Sequence, residues 1–187
     1  VTPWEEVADL ARERRRMEVY AAMVDRMDQG IGRVMRSLKD AGVDDNTVVF
    51  FLSDNGGCAS WPRKEEPFEE FNAGKVLGEG DGYEFVGKGW GWAQIAPFRR
   101  HKTWTYEGGI ATPMIVRWPD RIAEGEITHR VGHVIDFMPT LIELAGGNYP
   151  QTFAGQQILP SEGESLLPLL GDDREIEVHD QLAWELY

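Results

Sequence analysis

Thr47-Val48-Val49-Phe50-Phe51-Leu52-Ser53-Asp54-Asn55-Gly56-Gly57 is the stretch that decides the fold. Six consecutive β-branched, aromatic or aliphatic residues without polar alternation predict a strand buried on both faces. That pattern belongs to a parallel sheet covered by helices. The run stops abruptly in a serine, a carboxylate, an amide and two glycines. Open α/β sheets place their ligands beyond the carboxyl ends of their strands, so Asp54 and Asn55 stand where a site is expected.

Outward from this strand the chain reads as α/β. Upstream, Val7, Leu10, Tyr20, Met23, Val24, Met27, Ile31, Val34, Met35 and Leu38 fall largely at three- and four-residue steps. They predict an amphipathic helix, or two in succession, ending at Ala41-Gly42. Thr2, Pro3 and Glu5 have the order of a capping box with proline at the first helical position, and they set the expected helix start. Arg12, Arg14, Arg15 and Arg16 are expected on a solvated face, and Gly30 and Gly32 at a close approach to a neighbour. Downstream, residues 58–100 show no periodicity and are expected as a long loop. Four of the seven tryptophans, Trp61, Trp90, Trp92 and Trp104, lie in or just after it. Pro113-Met114-Ile115-Val116-Arg117-Trp118 is a second strand. Val134 to Ala145 is a helix closed by Gly146-Gly147, residues 147–163 are loop, and Gln181 to Tyr187 has the look of a strand.

Composition narrows the function. With 19 Lys+Arg against 32 Asp+Glu the formal net charge is −13, which argues against nucleic acid because phosphate binding needs a basic face. No window approaches 18 uninterrupted apolar residues, so no membrane span is expected. One cysteine excludes an internal disulfide or a multi-cysteine zinc site within these residues.

Asp54 and Asn55 offer two adjacent hard oxygen donors, suited to Ca²⁺ or Mg²⁺, although the same residues also suit a turn that ends a strand. Two donors fill neither shell, so other ligands must come from elsewhere. Lys102, just ahead of Gly108-Gly109, is a compact cation suited to a sulfate or phosphate oxyanion if its loop is ordered. His101 is a candidate acid or base, or a structural ring. His129 and His133 are expected to be structural. Cys58 lacks a partner base at readable spacing.

Taken in order, Tyr20, Asp28 and Gly32, then Asn46 to Gly57, then Lys102-Thr103-Trp104-Thr105-Tyr106-Glu107-Gly108-Gly109-Ile110-Ala111-Thr112-Pro113, then Asp136-Phe137-Met138-Pro139-Thr140 with Ala145-Gly146 resemble the sulfatase family. The likeness is to arylsulfatases of the alkaline-phosphatase-like superfamily and runs from about Met17 to Leu170. It implies a partial alkaline-phosphatase-like sandwich with a mostly parallel sheet flanked by helices. It also implies a sulfuric ester hydrolase that uses one Ca²⁺ and a formylglycine nucleophile. By position, Asp54 and Asn55 match the metal-ligating pair and Lys102 the sulfate-contacting lysine. His101, Arg100, Trp90 and Trp92 fall nearby as candidate substrate contacts, for a sulfated small molecule or glycan.

The pattern is incomplete. Cys58-Ala59-Ser60-Trp61-Pro62 is not a C-x-[PA]-S-R modification motif, and the upstream acidic pair is not found. Residues 1–187 are therefore expected to be the C-terminal portion of a catalytic domain, truncated at both ends and inactive alone. The nucleophile and remaining metal ligands would lie outside it. Export to periplasm, exterior or lysosome is implied by the resemblance alone, since no signal peptide is visible. Two other readings are a related phosphoester or phosphonate hydrolase, and a non-catalytic glycan-binding module that stacks sugars on Trp90, Trp92 and Trp104.

Overall fold

The long amphipathic period becomes α1, Leu10–Asp40, in a computed structural model that describes residues 2–59, 68–171 and 176–185. Its start differs from expectation. Trp4–Glu6 is a separate 3₁₀ turn without a side-chain cap, and Val7 is extended behind it. The cap is Asp9, whose Oδ1 accepts the Arg12 backbone N–H at 2.9 Å. The end is as read: Ala41 is the C-cap and Gly42 takes φ +68, the left-handed conformation that glycine adopts freely. Gly30 and Gly32 meet only arginine side chains of their own helix, not a neighbouring element.

The chain divides into two compact units, one of Val1–Gly42, Phe51–Ile115 and Glu185–Tyr187, the other of Val43–Phe50 and Val116–Trp184. In the first, the arginine cluster is not uniformly solvated. Arg16 is 6% exposed, paired with Glu13 on its own helix and with Glu84 at 3.2 Å, while Arg12 reaches the other Glu84 oxygen at 2.7 Å. Burial alone would raise the Glu84 pKa. Hydrogen bonds from Arg12 and the Phe85 N–H, with the charge of Arg16, outweigh it and hold the carboxyl below its ordinary value. The expected loop contains short helices α2, Phe68–Asn72, and α3, Gly87–Ala93. Three glycines in seven residues hid α3 from a propensity reading. A Cβ on Gly91 would lie 2.7 Å from Ala59, so close packing, not propensity, selects the residue there. Trp61 lies outside the described residues.

A four-residue helix, α4, spans Glu107–Ile110. The two predicted strands form as β1, Val49–Leu52, and β2, Met114–Arg117, neighbours in a two-stranded sheet. Their faces are not fully covered, since Phe51 is 42% and Ile115 63% exposed.

In the second unit a 3₁₀ turn, Val134–Asp136, runs into α5, Phe137–Leu144, with Pro139 in its first turn. Asp136 is fully buried and hydrogen-bonded through both oxygens. Oδ1 accepts the Glu164 N–H at 3.0 Å, and Oδ2 accepts the His133 N–H at 2.6 Å and the His179 ring at 2.8 Å. Thr140 Oγ1 donates to the Asp136 carbonyl at 2.6 Å and accepts the Leu166 N–H at 2.8 Å. The network fastens the buried Leu166, Leu169 and Leu170 against α5. The loop after α5 holds an unexpected hairpin, β3 (Thr152–Phe153) and β4 (Gln156–Gln157), antiparallel and turned by Ala154 and Gly155 at positive φ. Residues 181–185 are irregular, not strand, and Leu186 and Tyr187 lie outside the described residues. Among the described residues no helix is long and apolar enough to cross a membrane.

Candidate functional site

Two blocks of sequence chosen for their chemistry meet in the first unit. The Gly56 N–H donates to the Gly109 carbonyl at 3.0 Å, and the Lys102 N–H donates to the Gly57 carbonyl at 3.0 Å. The contact exists because both sides lack side chains. A Cβ on Gly56 would lie 1.8 Å from the Gly108 carbonyl oxygen, and a Cβ on Gly109 would lie 2.0 Å from that of Trp104. Gly57 is less tightly hemmed in, by Gly91 and Ile95 at 2.9 Å and Gln94 at 3.0 Å in the α3 region. The glycines of the two blocks therefore form a backbone seam that ties the turn bearing Lys102 to the loop bearing Asp54 and Asn55.

Asp54 is exposed and has no hydrogen-bond or ion-pair partner among the described residues. Asn55 turns Nδ2 back toward the Gly56 carbonyl at 3.4 Å, leaving Oδ1 for another partner. These are two unspent hard oxygens on adjacent residues. Among the described residues no group of three His, Cys, Asp or Glu gathers to complete a metal shell. The pair thus fits two positions of a hard cation's coordination sphere and leaves the rest to be supplied from elsewhere.

Lys102 is half-buried, and its ammonium has no partner among the described residues. A cation partly removed from water without an acceptor favours an anion beside it. The residues around it are strained. Arg100 sits at φ +69 and Thr103 at φ +78, a region that a β-branched residue seldom enters. His101 Nδ1 lies 2.9 Å from the Lys102 carbonyl. A carbonyl only accepts, so Nδ1 is the donor, and whenever the ring is neutral the lone pair is on Nε2.

The structure separates the two candidate tryptophans. Trp92 meets the His101 ring edge-on, centroids 6.0 Å apart. Trp90 turns to the amino-terminal helix, packing on Trp4 at 5.6 Å and donating Nε1–H to the Glu13 carbonyl at 2.9 Å. Arg100 stacks over Trp104, 4.3 Å from guanidinium carbon to ring centre. Sequence reasoning missed Gln94, whose Nε2 is buried without a partner while its Cβ abuts Gly57. A glutamine in an aperiodic Gly-rich stretch gives no signal of this.

The Sulfatase family profile matches residues 4–147. An uncharacterised sulfatase of Schizosaccharomyces pombe is 34% identical over 98% of this chain and 35% of its own. An arylsulfatase of Klebsiella aerogenes is 35% identical over 80% of this chain and 34% of its own. Among solved structures, a protein in complex with its substrate D-glucosamine-2-N,6-O-disulfate superposes with a TM-score of 0.50 and 25% identity, covering 82% of this chain and 22% of that one. The chain thus spans about a third of the length of these two curated relatives. The α/β architecture agrees with the fold implied by the sequence blocks, and with the family match over most of its length the chain belongs to the sulfatase family.

Proposed function

We propose that the protein carrying this chain hydrolyses sulfate esters, and that residues 1–187 are the C-terminal portion of its catalytic domain. The observation that carries this reading is the glycine seam, which fastens the Lys102 ammonium to the loop of the Asp54 carboxylate, both without a partner among the described residues. A fixed cation and a pair of hard oxygen donors on one backbone frame suit a tetrahedral oxyanion held between a lysine and a metal.

Asp54 and Asn55 would hold one Ca²⁺, with the other ligands outside this chain. When bound, the ion supplies Lewis-acid charge and a template for the sulfate oxygens. Lys102 contacts the sulfate and adds fixed positive charge where the leaving oxygen or the sulfonyl group gathers negative charge as the ester bond breaks. Because its backbone is already pinned, that charge is in place before reaction and needs little reorganisation. His101, with Nε2 free to accept a proton or hydrogen bond, stands beside the lysine as a substrate contact, and Trp92 braces the imidazole. The nucleophile, a formylglycine by family resemblance, belongs to a part of the protein outside this chain, which alone would be inactive. Export from the cytosol is part of the same reading. Commitment of Trp90 to Glu13 and Trp4 weakens the glycan-module alternative, which needs that ring as an open platform.

The test is hydrolysis by the full-length protein of 4-nitrophenyl sulfate and 4-nitrophenyl phosphate, with and without a calcium chelator. Sulfate ester cleavage that exceeds phosphate ester cleavage and is lost on chelation is the expected result. Faster phosphate ester cleavage, or indifference to the chelator, contradicts the reading.

A further inference from the structure

The chain has an excess of acid, yet Arg99-Arg100-His101-Lys102 is an uninterrupted basic run. The Arg99 guanidinium lies over the Tyr106 ring at 4.7 Å, and Arg100 lies over Trp104 at 4.3 Å and reaches the same tyrosine at 5.8 Å. Two guanidinia thus gather on one aromatic pair, and neither has a carboxylate partner among the described residues. Elsewhere in this unit the pattern is the opposite: Arg12 and Arg16 both bond to Glu84. Arg100 Nε is buried with no hydrogen-bond acceptor. Like charges sharing a ring repel, and a buried donor without an acceptor is costly, so the arrangement is short of one anion.

Backbone strain sharpens the point. Arg100 sits at φ +69, where glycine would be at ease and arginine is not. Its position is enforced from behind, since a Cβ on Gly108 would lie 2.2 Å from the Arg100 carbonyl oxygen and the Gly108 N–H bonds the Arg99 carbonyl at 2.9 Å. A guanidinium stacked on a ring by its face keeps its edge N–H groups for an oxyanion, a geometry that lysine cannot copy.

We propose that Arg99 and Arg100, stacked on Tyr106 and Trp104, form a second anion subsite on the Lys102 turn that takes an additional acidic group, sulfate or carboxylate, of the substrate. The subsite rests on the sulfatase reading for its use in turnover, but its affinity for a doubly charged ligand does not. It would make the enzyme prefer polyanionic sugars over simple aryl sulfates.

The experiment uses the full-length protein, Arg99→Ala combined with Arg100→Gly, and the disulfated glucosamine named above as probe. Glycine suits φ +69, so the variant is expected to keep the melting temperature of the parent. Calorimetric titration should show disulfate affinity falling at least tenfold. In turnover, KM for the disulfate should rise at least tenfold further than KM for 4-nitrophenyl sulfate, with the smaller change in kcat. Arg99→Lys with Arg100→Lys should restore only part of the affinity. If the parent hydrolyses no sulfate ester but binds the disulfate in an arginine-dependent way, the subsite stands and the sulfatase reading falls. Equal affinity in parent and variant, no binding by the parent, or equal KM changes for both substrates would overturn the subsite.

Discussion

At the scale of single residues, the informative feature is where the chain tolerates an unfavourable conformation. Thr103, at φ +78, makes no side-chain hydrogen bond among the described residues. A non-glycine residue in that region costs of order 1–3 kcal/mol, while glycine adds unfolded-state entropy worth about 0.4–1 kcal/mol. Thr103→Gly is therefore expected to hold or raise the thermal midpoint of the full-length protein. Gly56→Ala should do the reverse, because its methyl would lie 1.8 Å from a carbonyl oxygen. A loss of about 2–3 kcal/mol is expected from forcing the seam apart. Denaturation midpoints of the two variants check both signs, and a Thr103→Gly protein less stable than Gly56→Ala would refute the strain argument. The sequence showed that glycines at 56, 57, 108 and 109 accompany the chemistry. It could not show that they touch one another, because that requires the pairing of segments about fifty residues apart.

At the scale of elements, the strong periodic segments were legible and the weak ones were not. α1 ends and α5 runs as their apolar spacing and terminal glycines indicate, and both strands lie within their apolar runs. The start of α1 misled, since Thr2-Pro3-Trp4-Glu5 enters a separate 3₁₀ turn that makes no side-chain cap, while Asp9 caps the helix proper. The same helix shows why charge runs are poor guides to exposure: Arg16 is drawn inward by a carboxylate 68 residues away. Glu84→Gln tests that tie, leaving Arg16 with weakened compensation at a cost of about 1–3 kcal/mol. The folded-state pKa of Glu84 is lowered, so its stabilisation is complete above the ordinary glutamate value of 4.5 and is lost as pH falls through the lower folded value. The gap in denaturation midpoint between parent and Glu84→Gln should be flat above about pH 4.5 and close below it. A gap that widens on acidification would mean that Glu84 is not the ionised partner.

At the scale of the whole molecule, two units each keep a small set of buried residues and leave apolar side chains open. Met23, Met27 and Val34 are exposed on α1 in one unit, and Met138 and Leu141 on α5 in the other. The chain that carries these faces spans about a third of the length of the two curated relatives. Family and fold were legible because four motif blocks appear in order. The frame that joins them was not, since the Asp54 loop and the Lys102 turn are linked through glycine backbone and not through any side-chain pattern. In the proposed function these two residues share one site but do different work. The direct measurement is a paired assay of full-length Asp54→Ala and Lys102→Ala for Ca²⁺-dependent thermal stabilisation and for kcat/KM on an aryl sulfate. Asp54→Ala should lose both, including the roughly 2.7 kcal/mol that a hundredfold excess of ion over Kd provides. Lys102→Ala should keep the calcium effect and lose about 10²–10³ in kcat/KM. A Lys102→Ala protein with unchanged kcat/KM, or an Asp54→Ala protein that calcium still stabilises, would contradict the account.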